Sequence, residues 1–236
     1  MRLDKFLSDC KVESRKNLKK IIKQGAVCVN GICEKDPGKN ISPDDTVTVY
    51  DTVVEYEKYI YLMMNKPQGY ISATDDPRQR TVLELLPEEY LLYDLFPAGR
   101  LDIDTEGFLL LTNDGKFAHD ILSPKKHVPK TYFATVKGKI GEDEINLFNE
   151  GLDLGDFITK PAELEVIDYD GENSDIYVTI SEGKFHQVKR MFEKVGSLVL
   201  YLKRVSMGGL YLDEDLELGE IKKLTQEEIN LIKEIK

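Results

Sequence analysis

The sequence predicts an α+β protein with a small N-terminal α/β module and a larger domain, whose sheet is mostly antiparallel and whose helices are peripheral. Its length of 236 residues suggests one large domain or a large domain with a small companion. The charge distribution favours the second arrangement, because residues 1–40 carry a net charge of +5 while the whole chain carries −11. After residue 59, strand patterns dominate and helical patterns are interspersed among them.

The composition is that of a soluble globular protein, with 41% hydrophobic and 32% charged residues. No apolar run approaches the ~20 residues of a membrane-spanning helix, and the N-terminus lacks the apolar stretch of a signal peptide. We therefore expect a cytoplasmic protein with no membrane partner. The three cysteines, Cys10, Cys28 and Cys33, are expected to be reduced, and no histidine lies near them to complete a zinc site.

The N-terminal module begins with a basic helix predicted over residues 15–24. Ser14 is a suitable N-cap, apolar residues recur at helical spacing, and Gly25 supplies a left-handed stop. The pair Asn30-Gly31 then predicts a hairpin, followed by a strand at residues 47–50. The outward positions of the helix are basic: Arg15, Lys16, Lys19, Lys20 and Lys23. Such a face suits a polyanion, although most short basic runs are only solvated helix faces.

Three segments of this module resemble one small RNA-binding domain. The runs 2–7, 14–15 and 25–31 are similar to the S4-like domain first seen in ribosomal small-subunit protein four. The resemblance implies that the basic helix face contacts RNA phosphates. The resemblance covers about residues 1–50, and residues 51–58 carry little core pattern and are predicted to be a linker. We therefore assign residues 1–56 to this domain with its linker and residues 57–236 to the larger one.

The larger domain shows six strand patterns and five helical patterns. The strands are predicted at 59–64, 108–112, 131–136, 163–167, 176–180 and 198–202. The helices are predicted near 81–86, 116–122, 141–149, 185–195 and 225–235. Thr225 and Glu228 have the spacing of a capping box, which marks the start of the last helix.

A charged loop directly before a buried strand, at residues 97–115, is the most informative segment. Its acidic residues imitate the opening of a calcium-binding loop, but the twelfth position, Asn113, is not the required Glu. A second interpretation is that these charges are merely solvated or paired with Arg100. The third interpretation is a catalytic loop.

The catalytic interpretation is favoured by a resemblance. Gly99-Arg100-Leu101-Asp102, with the segment 105–115 that follows, is similar to the signature of the RsuA-like pseudouridine synthases, in which the residue matching Asp102 is catalytic. The segments 65–69, 130–132 and 182–191 resemble further motifs of that family. The resemblance implies an active-site tyrosine at Tyr132 and a basic partner for Asp102.

That basic partner is expected on the helix predicted over 185–195. Phe185, Val188 and Phe192 follow a helical spacing toward a core. His186, Lys189 and Arg190 then share the opposite face, where the alternative to an active-site role is a solvated charge cluster. The resemblance favours Lys189 as the partner, with Arg190 as the second choice.

The implied reaction converts a uridine of ribosomal RNA to pseudouridine without a metal or other cofactor. The target nucleotide would have to be flipped into a pocket, and Arg100 is a candidate to fill the space that it leaves. The short acidic chain favours 16S over 23S RNA, and we expect a monomer acting on ribosomal RNA or a subunit assembly intermediate. Two other classes stay open: a non-catalytic ribosome-assembly factor, and a hydrolytic glycosidase, for which no second carboxylate could be assigned.

Overall fold

The computed structural model divides the chain into two compact units, Met1–Ile60 and Tyr61–Lys236. It describes residues 1–10, 12–42, 44–54, 57–91, 93–123 and 126–234, and for Arg15 only the backbone. Among these residues, no helix is both long enough and apolar enough for a membrane span.

The N-terminal unit packs two short helices against a small antiparallel sheet. The helices are α1 (Leu3–Asp9) and α2 (Arg15–Lys23), and the strands are β1 (Val27–Val29), β2 (Ile32–Glu34), β3 (Val47–Val49) and β4 (Thr52–Val53), in the order β2-β1-β3-β4. The basic helix begins as predicted, because the Ser14 side chain accepts a hydrogen bond from the Asn17 amide. It ends as predicted before Gly25, at φ +80°.

Two predictions for this unit are wrong. Residues 51–58 were expected to form a linker, but Thr52–Val53 pairs with β3, while residues 55–56 lie outside the described residues. The cysteines were all expected to be reduced, but the structure joins Cys28 to Cys33 in a disulfide. The cause is the tight hairpin turn, which places these two residues directly opposite each other on β1 and β2.

In the larger unit, nine strands of the described chain form one mixed sheet. They are β5 (Tyr61–Lys66), β6 (Phe96–Pro97), β7 (Glu106–Thr112), β8 (Lys130–Lys137), β9 (Glu163–Tyr169), β10 (Asn173–Ile180), β11 (Val199–Met207), β12 (Leu210–Tyr211) and β13 (Ile221–Lys223). The main order is β13-β5-β7-β11-β8-β10-β9, with β12 beside β11 and β6 beside β7. Only the β7–β11 pair among these is parallel, so the prediction of a mostly antiparallel sheet is confirmed.

The helices of this unit are short and lie where the helical patterns predicted them. They are α3 (Gly115–Leu122), α4 (Glu142–Glu150), α5 (Gln187–Lys194) and α6 (Gln226–Ile232), while Val82–Leu85 forms a 3-10 helix. The capping box of the last helix is confirmed, since Thr225 and Glu228 exchange hydrogen bonds between side chain and backbone.

The parallel contact between β7 and β11 depends on Gly107. This residue pairs with Arg204 and has φ +98°, a conformation that favours glycine. A Cβ atom at this position would collide with the backbone of Arg204. The close approach brings β11 beside the loop that precedes β7, where the candidate site lies.

Candidate active site

Asp102 lies in the loop before β7, at the wall of a cavity of about 490 Å³. Its side chain keeps 26% of its accessible surface, so the carboxylate is partly buried but can be reached from the cavity. The same cavity is bounded by residues of β8, β11 and the segment that leads into α5. This volume falls within the range of small-molecule sites and would accommodate a nucleoside.

The backbone of this loop is held by hydrogen bonds from neighbouring segments. Lys66, the last residue of β5, is fully buried, and its Nζ donates to the carbonyl oxygens of Asp102 at 3.1 Å and Thr105 at 2.9 Å. The Ser72 hydroxyl bonds both the amide and the carbonyl of Leu101 at 3.0 Å. The position of Asp102 is therefore fixed through its main chain, which leaves the carboxylate for other partners.

Two cationic or ionisable side chains from the segment 186–189 face that carboxylate. Lys189 Nζ lies 3.4 Å from Asp102 Oδ2, and His186 Nε2 lies 3.6 Å from Asp102 Oδ1. Lys189 is closer to Asp104, with Nζ 2.6 Å from Oδ1. The ammonium of Lys189 is therefore shared between two carboxylates: it donates a hydrogen bond to Asp104 and forms a longer ion pair with Asp102.

The pKa values in this cluster report its burial and charge. Burial raises the pKa of Asp104, but the hydrogen bond and charge of Lys189 outweigh burial and hold it below its usual value. Burial lowers the pKa of Lys66 to about 8, against the opposing influence of Asp104, Asp102 and Glu106. The acidic residues of this loop thus lie near the ammonium groups of Lys66 and Lys189.

Lys189 and Arg190, the two alternatives for the basic partner of Asp102, are adjacent on α5 but have different contacts. Lys189 points to the Asp102 loop, whereas Arg190 forms an ion pair with Asp156 and donates to the Leu154 carbonyl at 3.2 Å. Arg190 also lies over the Phe157 ring, 5.3 Å from its centroid. Of the two, only Lys189 is placed beside Asp102.

The expectation that Phe185 packs toward a core is wrong. The helix begins at Gln187, after His186 in the left-handed region at φ +49°, so Phe185 lies outside the helical spacing. Its side chain is 70% exposed and stacks on the His186 ring, with centroids 3.8 Å apart. An exposed aromatic ring therefore stands at the cavity, next to a histidine that faces Asp102.

Tyr132 lies on β8 and lines the cavity, at 7% exposure. It faces the interior together with Lys130, two residues earlier on the same strand, and it pairs with Arg204 of β11. Leu202 and Ile180 add apolar surface to the same wall. The inner part of the cavity thus combines an aromatic ring, aliphatic side chains and two buried cations.

The remaining predicted residues lie at two places. Arg100 is exposed and lines the cavity. In the N-terminal unit, Lys16, Lys19, Lys20 and Lys23 are exposed along α2, opposite the buried Leu18 and Ile22. Arg15 begins the same helix, but its side chain lies outside the described residues.

Sequence reasoning missed the roles of Lys66, Lys130 and Arg204 in building the site. All three are charged residues buried inside sheet strands, where a pattern of hydrophobic burial does not expect them. The signal that could have found them is a lysine or arginine at an inward position of a strand, since a buried cation needs a functional or structural partner.

The arrangement can act on a ribose whose base enters the cavity. An ionised carboxylate held beside a lysine can attack or stabilise an electron-deficient sugar carbon, or remove a proton. Tyr132 and the aliphatic wall offer surfaces against which a flat base can stack. These features suit chemistry at a glycosidic bond.

The matching family models cover most of the chain. The model described as RNA pseudouridylate synthase matches residues 60–194, and the model described as S4 domain matches residues 1–47. The two matches fall in the two compact units of the structure.

Similar proteins cover the full length. The chain is 52% identical over 236 residues to the uncharacterized RNA pseudouridine synthase YtzG of Bacillus subtilis (strain 168), covering 99% of each chain. It is 42% identical over 233 residues to the ribosomal small subunit pseudouridine synthase A of Escherichia coli (strain K12), covering 97% of this chain and 98% of that one. A crystal structure of a pseudouridylate synthase matches with a TM-score of 0.69 and 40% identity, covering 98% of this chain and 99% of the other.

Proposed function

Because the chain belongs to the RNA pseudouridylate synthase family, in its RsuA-like branch, we propose that it converts one uridine of small-subunit ribosomal RNA to pseudouridine. The observation that carries the proposal is the position of the Asp102 carboxylate at the cavity wall, beside Lys189 and His186. The catalytic and RNA-binding roles assigned to individual residues are part of the same proposal.

The reaction is an isomerisation and needs neither a redox partner nor a second substrate. The bond between ribose C1′ and uracil N1 breaks, the base turns while it stays bound, and C1′ then bonds to the ring carbon C5. The proton on C5 is lost and N1 gains one, so atoms and electrons balance. Asp102 acts on the ribose side of the broken bond, where a carboxylate stabilises an electron-deficient carbon, attacks it or removes a proton.

Lys189 and Tyr132, which both line the cavity, support these steps in different ways. Lys189, with its ammonium 3.4 Å from Asp102 Oδ2, orients the carboxylate through this ion pair. Tyr132 stacks on the base and assists removal of the C5 proton. The cavity that both residues line retains the detached uracil while it turns.

RNA binding draws on charged and aromatic residues at the cavity and on the basic helix. Arg100 fills the space left in the RNA when the uridine flips out, and the exposed Phe185 stacks on a neighbouring base, with His186 behind it. In the N-terminal unit, the basic face of α2 contacts phosphates through Arg15, Lys16, Lys19, Lys20 and Lys23.

The choice of the small subunit comes from the relative named as a ribosomal small subunit pseudouridine synthase, which is similar over nearly the whole chain. We propose that the protein acts in the cytoplasm as a monomer on ribosomal RNA or on an assembly intermediate of the subunit. The large-subunit RNA is the alternative target.

The test is to incubate the purified protein with small-subunit and large-subunit ribosomal RNA and to map pseudouridine by mass spectrometry. We expect one new pseudouridine in the small-subunit RNA, and none with Asp102→Asn, which keeps the shape of the side chain and removes its charge. Asp104→Asn is the matched control, since it alters the neighbouring carboxylate, and it should retain measurable activity. Activity of Asp102→Asn within a few-fold of wild type would contradict the mechanism, and product only in large-subunit RNA would change the target.

A further inference from the structure

Lys130 and Arg204 are two buried cations in the wall of the catalytic cavity. Lys130 is 7% exposed and Arg204 is 2% exposed, and both line the cavity that contains Asp102. They lie on neighbouring antiparallel strands, and Arg204 pairs with Tyr132, two residues from Lys130 on the same face. The cavity therefore has two positive charges beside the candidate base-stacking tyrosine.

Neither cation is neutralised by the described part of the protein. Lys130 Nζ donates to the Val128 carbonyl at 2.7 Å, and Arg204 Nε donates to the Phe108 carbonyl at 2.7 Å. Arg204 Nη2 is buried without a hydrogen-bond partner among the described residues, where no ion pair includes Arg204 or Lys130. Thr105 Oγ1, which lines the same cavity, is also buried and unpartnered there.

Burying two cations without a charged partner lowers the stability of the fold. Burial, and then the charge of Arg204, lowers the pKa of Lys130 to about 8, so the lysine would lose its proton more readily than in water. Buried charges are normally paired, and an unpartnered buried donor carries the full penalty of leaving water. A cost that the folded chain does not recover by itself is expected where a ligand supplies the missing partner.

The uracil of a bound uridine has the chemistry to be that partner. Its two carbonyl oxygens accept hydrogen bonds. When the C1′–N1 bond breaks, the electron pair stays on the ring, and the negative charge spreads from N1 to both oxygens. The electron-deficient C1′ is then left facing Asp102. Positive donors fixed where negative charge develops are the usual means of stabilising such a step.

We propose that Lys130 and Arg204 bind the carbonyl oxygens of the flipped uracil and stabilise the negative charge that the ring acquires as its bond to the ribose breaks. This proposal rests on the proposed function. It assigns the ribose side of the bond to Asp102 and the base side to the two buried cations. An RNA phosphate is the competing anion, but the aliphatic wall formed by Leu202 and Ile180 suits a base.

The principal test uses Lys130→Met under single-turnover conditions at saturating RNA, with a substrate that the wild type modifies. We expect the rate to fall on the order of 100-fold or more, as when one fixed donor to a developing anion is lost. RNA affinity should change less than about threefold, because the contact strengthens only as the bond breaks. The melting temperature should be unchanged or higher, because a buried charge is removed.

Two further variants sharpen the test. Lys130→Arg keeps a positive donor and should recover part of the rate. Lys137→Met removes an exposed lysine from the other end of the same strand and should leave the rate unchanged. Arg204→Lys keeps the positive charge but removes the additional N–H donors of the guanidinium. It should lower the rate and leave RNA affinity unchanged, whereas the loss of a phosphate contact would lower affinity.

A fluorinated substrate separates a base contact from a phosphate contact. Fluorine at C5 withdraws electrons and makes the detached ring a more stable anion. The rate defect of Lys130→Met, measured as consumption of 5-fluorouridine in the RNA, should therefore be smaller than with uridine. Equal defects on both substrates, a loss confined to RNA affinity, or a rate within about threefold of wild type would overturn this proposal. A wild-type protein that forms no pseudouridine in any ribosomal RNA would instead contradict the proposed function.

Discussion

The ammonium of Lys66 lies 3.1 Å from the main-chain carbonyl oxygen of Asp102 and stabilises the loop, while the Asp102 side chain meets Lys189 and His186. Lys66 and Lys189 thus have different roles at Asp102. Lys66 fixes the position of the Asp102 main chain, and Lys189 contacts and orients its carboxylate.

Lys66→Met should therefore lower activity through the loop, because Lys66 has no proposed contact with the substrate. Methionine fits the buried strand end but leaves the carbonyl oxygens of Pro67, Asp102 and Thr105 without their common donor. An unsatisfied buried acceptor costs about 1–3 kcal/mol, so the loop should shift to recover partners. We expect a fall in turnover rate of at least about tenfold, with little change in RNA affinity, measured in single-turnover and binding assays. Wild-type turnover would show that the loop keeps its shape without this lysine.

Lys189 and Arg190 provide a matched pair, since they are adjacent on α5 but have different partners. Lys189→Met leaves Asp102 and Asp104 without their shared cation, and the turnover rate should fall far more than RNA affinity. Arg190→Met breaks the contacts with Asp156 and Leu154 and should act mainly on stability. The two variants are compared by single-turnover rate and by thermal unfolding. If Lys189→Met keeps the wild-type turnover rate while Arg190→Met loses it, the role of basic partner moves to Arg190.

Phe185→Ala should weaken RNA binding and leave the fold intact. The ring is 70% exposed, so its removal uncovers little core. A base that stacks on an aromatic side chain contributes about 1–3 kcal/mol, which corresponds to a loss of affinity of roughly 5-fold to 150-fold. Tyr211→Ala, at 64% exposure and outside the cavity lining, is the control and should bind RNA like the wild type. Equal affinities for both variants, measured by filter binding, would remove Phe185 from the RNA-binding surface.

The order of the elements and the position of the charged loop that contains Asp102 follow from local patterns in the sequence. The cap at Ser14, the stop at Gly25 and the capping box at Thr225 depend on neighbouring residues, and the structure contains each of them. The charged loop alone left solvated charges as an equal interpretation, and Asp102 was predicted to be catalytic because its motif resembles the signature of the RsuA-like pseudouridine synthases.

The errors arose where a distant contact or one unusual residue decides the structure. Phe185 fits a helical spacing, but the left-handed His186 interrupts it. The Cys28–Cys33 pair follows from the hairpin register. Counting outward from the two-residue turn would have placed these cysteines opposite each other. The burial of Lys130 and Arg204 depends on the pairing of β8 with β11, which no local pattern shows.

The basic face of α2 makes a prediction about salt. Reversing Lys19, Lys20 and Lys23 to Glu should weaken RNA binding and flatten its dependence on salt, because each phosphate contact adds roughly one unit to the slope. The catalytic unit should stay folded. The control reverses three exposed lysines of that unit, Lys137, Lys139 and Lys194, and changes the net charge by the same amount. If both triple variants show the same slope as the wild type, the helix charges are only a solvated face.

The two buried lysines predict how stability depends on pH. Burial lowers the pKa of Lys66 and of Lys130 to about 8, whereas the pKa of a lysine in the unfolded chain is about 10.4. Between these values the unfolded chain binds more protons than the folded chain, so each lysine makes the free energy of unfolding rise as the pH increases from 8 toward 10. Below pH 8 both states hold the proton, and the full cost of burying the charge is present.

Lys130→Met isolates one of these contributions. At pH 7 the variant should be more stable than the wild type by on the order of 2 kcal/mol, and the difference should shrink as the pH approaches 10. Urea unfolding at four or five pH values between 7 and 10 measures the difference directly, with Lys137→Met as the exposed control. A constant difference across this range would mean that Lys130 is not held in its charged form against its burial. A variant that is less stable at pH 7 would mean that its bond to the Val128 carbonyl outweighs the cost of the charge.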